Sequence, residues 1–142
     1  MPSNITISDL TSTIKEIVDG GSAATFIPHG VSMRPMLYGG RDEIILVKAE
    51  LPLKKHDLPL YLRKNGAVVL HRVIKASTKD GKNHYMMRGD NTWELEGGIT
   101  DQDIIAVVSR FKRKGKWYSV DSKGYRFYVK IWGTTYPMRW LV

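Results

Sequence analysis

The sequence has no cysteine, no long apolar run and relatively few acidic residues. Its 142 residues include 14 Asp and Glu against 22 Lys and Arg, which gives a formal net charge of +8. Without cysteine the chain has no disulfide, no thiol nucleophile and no zinc site with cysteine ligands. Lys, Arg, Asp or Gly interrupts each apolar run within about six residues, whereas a membrane-spanning helix needs about 18. We therefore expect no spanning helix.

The N-terminal region also lacks the pattern of a secretory signal, which is a basic start followed by an apolar block. Residues 1–19 carry Asp9 and Glu16 instead, so we expect a cytoplasmic protein. With 42% hydrophobic and 25% charged residues, the composition is that of a globular chain, neither disordered nor collagen-like. The length suits a single domain over residues 1–142, with its core at about 25–120.

The chain is predicted to be mainly β, with a short helix near the N-terminus. Apolar residues recur at helical spacing over about residues 8–19, where Ser8 is a suitable cap and Gly20 and Gly21 end the pattern. Short β-rich runs separated by turns then cover residues 24–27, 43–47, 58–62, 67–76, 83–88, 104–111 and 116–120. Strands so short and closely spaced predict a coiled β-sheet or barrel rather than parallel βαβ units.

The segment 29–37 is the most unusual in the sequence, because Gly30 and Pro35 bracket a serine, Ser32. Glycine permits backbone torsions closed to other residues and proline fixes its own φ, so such a turn can present a hydroxyl outward. A serine hydroxyl attacks a carbonyl only when a nearby base removes its proton. Ser32 is thus a candidate nucleophile, although on this segment alone an ordinary turn residue is the more common alternative.

His71 is the candidate base. It lies in the apolar run 67–76, and the ordinary pKa of histidine, ~6.5, suits it to accept a proton near neutral pH. The alternative is a half-buried strand histidine that hydrogen-bonds to the backbone. His29, His56 and His84 lie in polar surroundings and are expected at the surface.

A third cluster follows the run 83–88, where Gly89-Asp90-Asn91 is a turn signal with Glu96 further along. A carboxylate can orient an imidazole and stabilise its protonated form, as the third member of a catalytic triad does. Asp90, Glu96 and Asp101 all remain open for that role. By itself, Gly-Asp-Asn is an ordinary turn.

Together these three segments resemble the signal peptidase and LexA-like superfamily of serine peptidases, over about residues 25–111. Its nucleophile box reads Gly-x-Ser-Met-x-Pro-x-Leu and is followed by an Asp, then by a second Asp, the base and Gly-Asp-Asn. The matching residues are Gly30, Ser32, Met33, Pro35, Leu37, Asp42, Asp57 and Gly89-Asp90-Asn91. One branch of the superfamily has lysine as the base and the other has histidine before Arg-Val. His71-Arg72-Val73 is similar to the histidine branch.

The resemblance implies a serine endopeptidase that needs no metal or cofactor. Ser32 is then the nucleophile and His71 the general base, while Gly30, Met33 and Pro35 lie beside the substrate and the oxyanion. It also implies that the substrate binds as an extended strand with small residues near the scissile bond. Processing of a leader or precursor peptide is the expected biology.

Two residues depart from the family pattern. Glu96 stands six residues after Asp90, where the histidine branch has an Asp, so the identity of the acid stays open. Gly30 stands where many members have a serine hydroxyl in the oxyanion hole. The hole would then depend on the Ser32 amide and another backbone donor, and the loss of one donor costs about 2.7–4 kcal/mol of transition-state stabilisation.

The chain resembles the stand-alone members of the superfamily. It shows neither the membrane anchors of signal peptidases nor the DNA-binding domain of LexA-like repressors. It also has no Ala-Gly or Cys-Gly dipeptide at which LexA-like proteins cut themselves. The alternative from a different class is a catalytically silent module that uses the same fold to bind a peptide or protein.

The basic charge and the C-terminal segment predict surfaces rather than chemistry. The basic residues within 110–116 are expected to form a solvated hairpin edge, with a nucleic-acid-binding barrel as the alternative, although no nucleic-acid module is recognisable. Segment 122–142 mixes six aromatic residues with Lys and Arg and predicts a helix ending near Gly133. We expect it to pack on the core, with peripheral membrane contact as the alternative.

Overall fold

The fold is taken from a computed structural model, which describes residues 7–134 apart from residues 29, 31, 35 and 93. In this part of the chain two α-helices flank nine β-strands. The helices are α1 (Ile7–Asp19) and α2 (Lys123–Thr134). The strands are β1 (Ala24–Phe26), β2 (Glu43–Val47), β3 (Pro59–Leu62), β4 (Val68–Leu70), β5 (Arg72–Lys79), β6 (Lys82–Arg88), β7 (Glu96–Thr100), β8 (Ile104–Arg113) and β9 (Lys116–Ser119), with a 3₁₀ turn at Asp101–Asp103.

The strands form two antiparallel sheets. The larger sheet has the order β1-β2-β8-β3-β4, and β9 pairs with the end of β8. The smaller sheet has the order β5-β6-β7. The protein is therefore mainly β with an N-terminal and a C-terminal helix, as predicted. Over the described residues the sheets do not close into a barrel.

The chain passes from the larger sheet to the smaller one at His71. Leu70 ends β4 and pairs with Leu60, whereas Arg72 begins β5 and pairs with Arg88. The single strand predicted over 67–76 is therefore wrong, because two strands in different sheets share this run. A continuous apolar pattern gives no sign of the break, since the residues on both sides of it are buried or half-buried. The imidazole consequently lies at the junction of the two sheets.

Two further details differ from the sequence prediction. The strand β7 is absent from it, because Gly97 and Gly98 weaken the strand pattern, yet Ile99 pairs with Tyr85 of β6. Ser8, the predicted cap, lies inside the first turn of α1 rather than before it.

Two apolar clusters hold the elements together. In the first, Ile14 and Val18 on one face of α1 share a buried cluster with residues of the larger sheet, such as Leu46. The second cluster joins the two sheets and contains Tyr61 of β3 and Tyr85 of β6. The sheet junction at His71 is thus supported by packed side chains from both sheets.

The helix α2 lays an aromatic face against the core. Tyr125 packs on Phe111 with ring centroids 5.3 Å apart, and Tyr128 stacks on Trp132 at 6.0 Å. Phe127 points away and is 68% exposed. The helix and its inward packing match the expectation for this segment, of which residues 135–142 lie outside the described part. Membrane contact through the outer face stays a prediction.

The described helices are also too short or too polar to cross a membrane. The basic residues within 110–116 lie in the hairpin that joins β8 to β9. Its tight turn is made by Lys114 and Gly115, whose φ angles are +52° and +80°. Lys114 and Lys116 are exposed, so this hairpin is a solvated edge as expected.

Candidate active site

Ser32 lies in the loop between β1 and β2. The loop is anchored by two buried side chains, Met33 and Leu37, and the Leu37 N–H donates to Met33 O at 3.0 Å. Gly30 has a φ of +95°, a conformation that favours glycine and explains why a residue with a side chain is disfavoured there. These constraints leave Ser32 half-buried. Pro35, which was predicted to brace the loop, lies outside the described residues.

The loop of Ser32 and the turn after β6 meet at Gly89. The Asn91 N–H donates to Ser32 O at 2.7 Å. A Cβ atom on Gly89 would lie 2.5 Å from Ser32 O, 3.0 Å from Ser32 Cβ and 3.1 Å from Cδ2 of His71. Glycine is therefore the residue that allows this approach. The same distances show that Ser32 and His71, far apart in the sequence, lie beside one another.

Ser32 and His71 line the same groove, which has a volume of about 550 Å³. Its walls are largely apolar and come from α1, from β1 and from the paired strands β3 and β4. The residues that contribute include Leu10, Phe26, Leu60, Val68, Leu70 and Arg63. None of the hydrogen bonds among the described residues joins Ser32 Oγ to His71. Catalytic hydrogen bonds are often long in an unliganded enzyme and tighten when substrate binds. The lack of this hydrogen bond therefore does not conflict with a catalytic pair.

His71 is held neutral by its surroundings. Its side chain is only 8% exposed. Burial, together with the nearby charge of Arg63, lowers the pKa of His71 to about 4. The imidazole is therefore unprotonated at neutral pH, which is the state a general base requires.

Tyr61 joins His71 to Glu96. The Tyr61 hydroxyl lies 3.3 Å from Nδ1 of His71 and donates to Glu96 Oε1 at 2.6 Å. Arg63 donates to both carboxylate oxygens of Glu96, from Nε at 2.8 Å and from Nη2 at 3.1 Å. Burial pushes the pKa of Glu96 upward, but the hydrogen bonds from Arg63 and Tyr61 outweigh it, and the pKa lies below its ordinary value. Of the three acids left open by the sequence, Glu96 is the one connected to the imidazole.

Asp90 is engaged elsewhere. Arg72 donates from Nε to Asp90 Oδ1 and from Nη2 to Oδ2, both at 2.8 Å, and the pair is almost completely buried. The Tyr128 hydroxyl of α2 donates to the same Oδ2 at 2.8 Å, and the Trp132 indole N–H donates to Asp90 O. Asp90 therefore ties the turn after Gly89 to β5 and α2, and the geometry favours Glu96 over Asp90 as the acid beside His71.

The other acidic residues singled out from the sequence accept hydrogen bonds from residues other than Ser32 and His71. Asp42 accepts the Tyr38 N–H at 2.9 Å, and Asp57 accepts the Lys54 N–H at 2.8 Å. Asp101 accepts hydrogen bonds from the Tyr85 hydroxyl and from the amide of Asn83. None of these three side chains lines the groove that contains Ser32 and His71.

The remaining histidines are separate from this site. His56 and His84 are half-buried rather than fully at the surface, and neither lines the groove. His29 lies outside the described residues. Across the described chain, the His, Asp and Glu side chains form no group of three that would hold a metal ion.

Tyr61 is the residue of this site that the sequence does not reveal. In the sequence it is one member of the apolar run 58–62, and its hydroxyl leaves no mark on the strand pattern.

A scan against known protein families, a search of curated proteins and a search of solved structures all give no match to this chain.

Proposed function

We propose that the protein is a serine peptidase of the signal peptidase and LexA-like type, with Ser32 as nucleophile and His71 as general base. The observation that carries this proposal is the meeting of Ser32 Cβ and His71 Cδ2 against Gly89, at the edge of a groove. Cδ2 is bonded to Nε2, which is the ring nitrogen left available to Ser32. The other ring nitrogen, Nδ1, contacts Tyr61.

In the first half of the proposed reaction, one proton moves between three atoms. Ser32 Oγ attacks the carbonyl carbon of the scissile bond while its proton passes to Nε2 of His71. The C–N bond then breaks, and the same proton goes from Nε2 to the leaving amine. Water then attacks the resulting ester while one of its protons passes to Nε2, and Nε2 gives a proton to Ser32 Oγ as the ester C–O bond breaks and the acid is released. Substrate binding is expected to turn the Ser32 side chain into the staggered rotamer that brings Oγ to Nε2.

The groove suits an extended peptide with small or apolar side chains. Its walls include two edge strands of the larger sheet, β1 and β4, each of which pairs with one neighbour of that sheet among the described residues. An extended peptide can add to such an edge through main-chain hydrogen bonds. The apolar lining favours burial of aliphatic side chains over charged ones.

The test is cleavage of a library of unstructured peptides, analysed by mass spectrometry. Ser32→Ala and His71→Ala are each expected to reduce kcat/KM by at least about 10³-fold while circular dichroism shows an unchanged fold. Ser77→Ala and His84→Ala are matched controls, because these two residues face each other across β5 and β6, away from the groove. Equal activity in all five proteins would refute the peptidase proposal.

A binding module without catalysis is the second candidate function. It is favoured by one observation, the lack of a hydrogen bond between Ser32 Oγ and His71 among the described residues. This alternative predicts that peptides from the same library bind the wild type without being cut. It also predicts that Ser32→Ala leaves their affinity unchanged, which isothermal titration calorimetry would measure.

A further inference from the structure

The hydroxyl of Tyr61 lies beside Glu96, His71 and Arg63 and has only one proton to give. It lies 2.6 Å from Glu96 Oε1 and 3.3 Å from Nδ1 of His71. The side chain is fully buried, and its ring meets the imidazole edge-on, with centroids 6.2 Å apart and an interplanar angle of 67°. Because the side chain is buried, the hydroxyl cannot replace these partners with bulk water.

The direction of both hydrogen bonds follows from the charge on Glu96. Glu96 is ionised at neutral pH, because its two hydrogen-bonded neighbours lower its pKa, and an ionised carboxylate only accepts. Tyr61 must therefore donate its proton to Glu96. Burial first, and then the hydrogen bond to Glu96, raise the pKa of Tyr61, so the phenol keeps that proton. What the phenol oxygen offers to His71 is a lone pair, which forms a hydrogen bond only if Nδ1 carries a proton.

We propose that Tyr61 is a positioning residue that holds His71 in the tautomer with its proton on Nδ1 and thereby leaves the lone pair of Nε2 free for Ser32. This inference rests on the proposed peptidase function and adds a residue that the family pattern does not supply. Glu96 acts on His71 through Tyr61. Its carboxylate therefore accepts hydrogen bonds from the Tyr61 hydroxyl and from Arg63, and not from the imidazole itself.

The same arrangement provides an acceptor for the charged intermediate state. When the Ser32 proton reaches Nε2, the imidazole becomes a cation with a proton on each nitrogen. Nδ1–H then donates to Tyr61, whose own proton still points to Glu96, so no proton leaves Tyr61. The negative charge of Glu96 offsets part of the destabilisation of this cation by burial and by Arg63.

The first experiment is Tyr61→Phe, which removes one oxygen and keeps the buried ring. We expect kcat to fall by about 100-fold, because most of the imidazole then carries its proton on Nε2 and its charged form loses the acceptor of Nδ1–H, and we expect KM to change by less than about twofold. Tyr85→Phe is the matched control. Tyr85 is equally buried in the same cluster and also donates to a carboxylate, that of Asp101, but it is not joined to His71. Equal kcat values for the two variants would overturn the proposal.

The second experiment does not depend on activity. The ¹⁵N chemical shifts of His71, measured at pH 7 by long-range proton–nitrogen correlation, distinguish a protonated Nδ1 from a protonated Nε2. The wild type and Tyr85→Phe should show the proton on Nδ1, and Tyr61→Phe should show a shift toward Nε2. A proton on Nε2 in the wild type would overturn the role of Tyr61. If the shifts behave as expected and the wild type cuts no peptide, the peptidase proposal fails and the role of Tyr61 in orienting His71 stands.

Discussion

Gly89→Ala should damage the candidate active site while leaving the fold in place. The new Cβ would lie 2.5 Å from Ser32 O, and ordinary contacts begin at 3.4 Å, so the Ser32 loop must retreat by about 1 Å. Ser32 O is backbone and cannot rotate away as a flexible side chain would. Overpacking of this kind costs about 1–3 kcal/mol of folding free energy. A displacement of about 1 Å at a reacting group can cost about 100-fold in rate, so we expect kcat/KM to fall by about that factor.

The assay pairs peptide-cleavage kinetics with urea unfolding monitored by circular dichroism. Gly97→Ala is the matched control, since a Cβ on Gly97 meets nothing within 4 Å and Gly97 has no positive φ. It should keep the kcat/KM of the wild type, and its free energy of unfolding should differ from that of the wild type by no more than about 0.5 kcal/mol. If Gly89→Ala keeps wild-type kcat/KM and stability, then Ser32, His71 and Gly89 do not meet as described.

Four further predictions concern the charges and the helix around this site. Since the pKa of His71 is lowered to about 4, kcat/KM should be constant from about pH 8 to pH 5 and fall below that, as a pH–rate profile would show. The pKa of His71 is ~6.5 in the unfolded state and about 4 in the folded state, so between these values the unfolded state binds more protons. The free energy of unfolding should therefore decrease by up to roughly 3 kcal/mol as the pH falls through this range. In urea titrations, His71→Phe should lack this pH-dependent decrease. Arg72→Met should destabilise the fold by about 3–5 kcal/mol, because it leaves the Asp90 carboxylate buried without its cation, and adding Asp90→Asn should recover part of that loss in a double-mutant cycle. Gly124→Ala in α2 should raise the unfolding free energy by roughly 0.5–1 kcal/mol, since a Cβ there meets nothing within 4 Å and glycine disfavours helix.

Local chemistry in the sequence was enough to single out Ser32, His71 and the turn Gly89-Asp90-Asn91 as candidates. Glycine, proline, serine and histidine each carry a distinct backbone or side-chain property, so their positions can be recognised one residue at a time. The helical spacing of Ile14 and Val18 predicted α1 for the same reason, and both residues are buried. Which of these groups meet is a property of the sheets, and the sequence analysis inferred it from a family resemblance rather than from the residues themselves.

The features that the sequence did not predict all depend on contacts between distant strands. Tyr61 lies in β3 and Glu96 at the start of β7, and the two strands belong to different sheets. Their hydrogen bond exists because the sheets meet at His71, where the strand predicted over 67–76 breaks in two. Hydrophobic periodicity reports burial, and burial is the same on both sides of that break.

The buried pair of Arg72 and Asp90 is better explained by the positions that it gives to neighbouring residues than by its contribution to folding free energy. A buried ion pair contributes little net free energy compared with apolar residues of the same size, because the removal of two charges from water offsets their attraction. These two residues are the chain neighbours of His71 and Gly89. The bidentate contact between them therefore sets the position of the imidazole relative to the glycine against which Ser32 packs. Since Tyr125 and Tyr128 of α2 bind the same pair, the C-terminal helix becomes part of what holds the site in register.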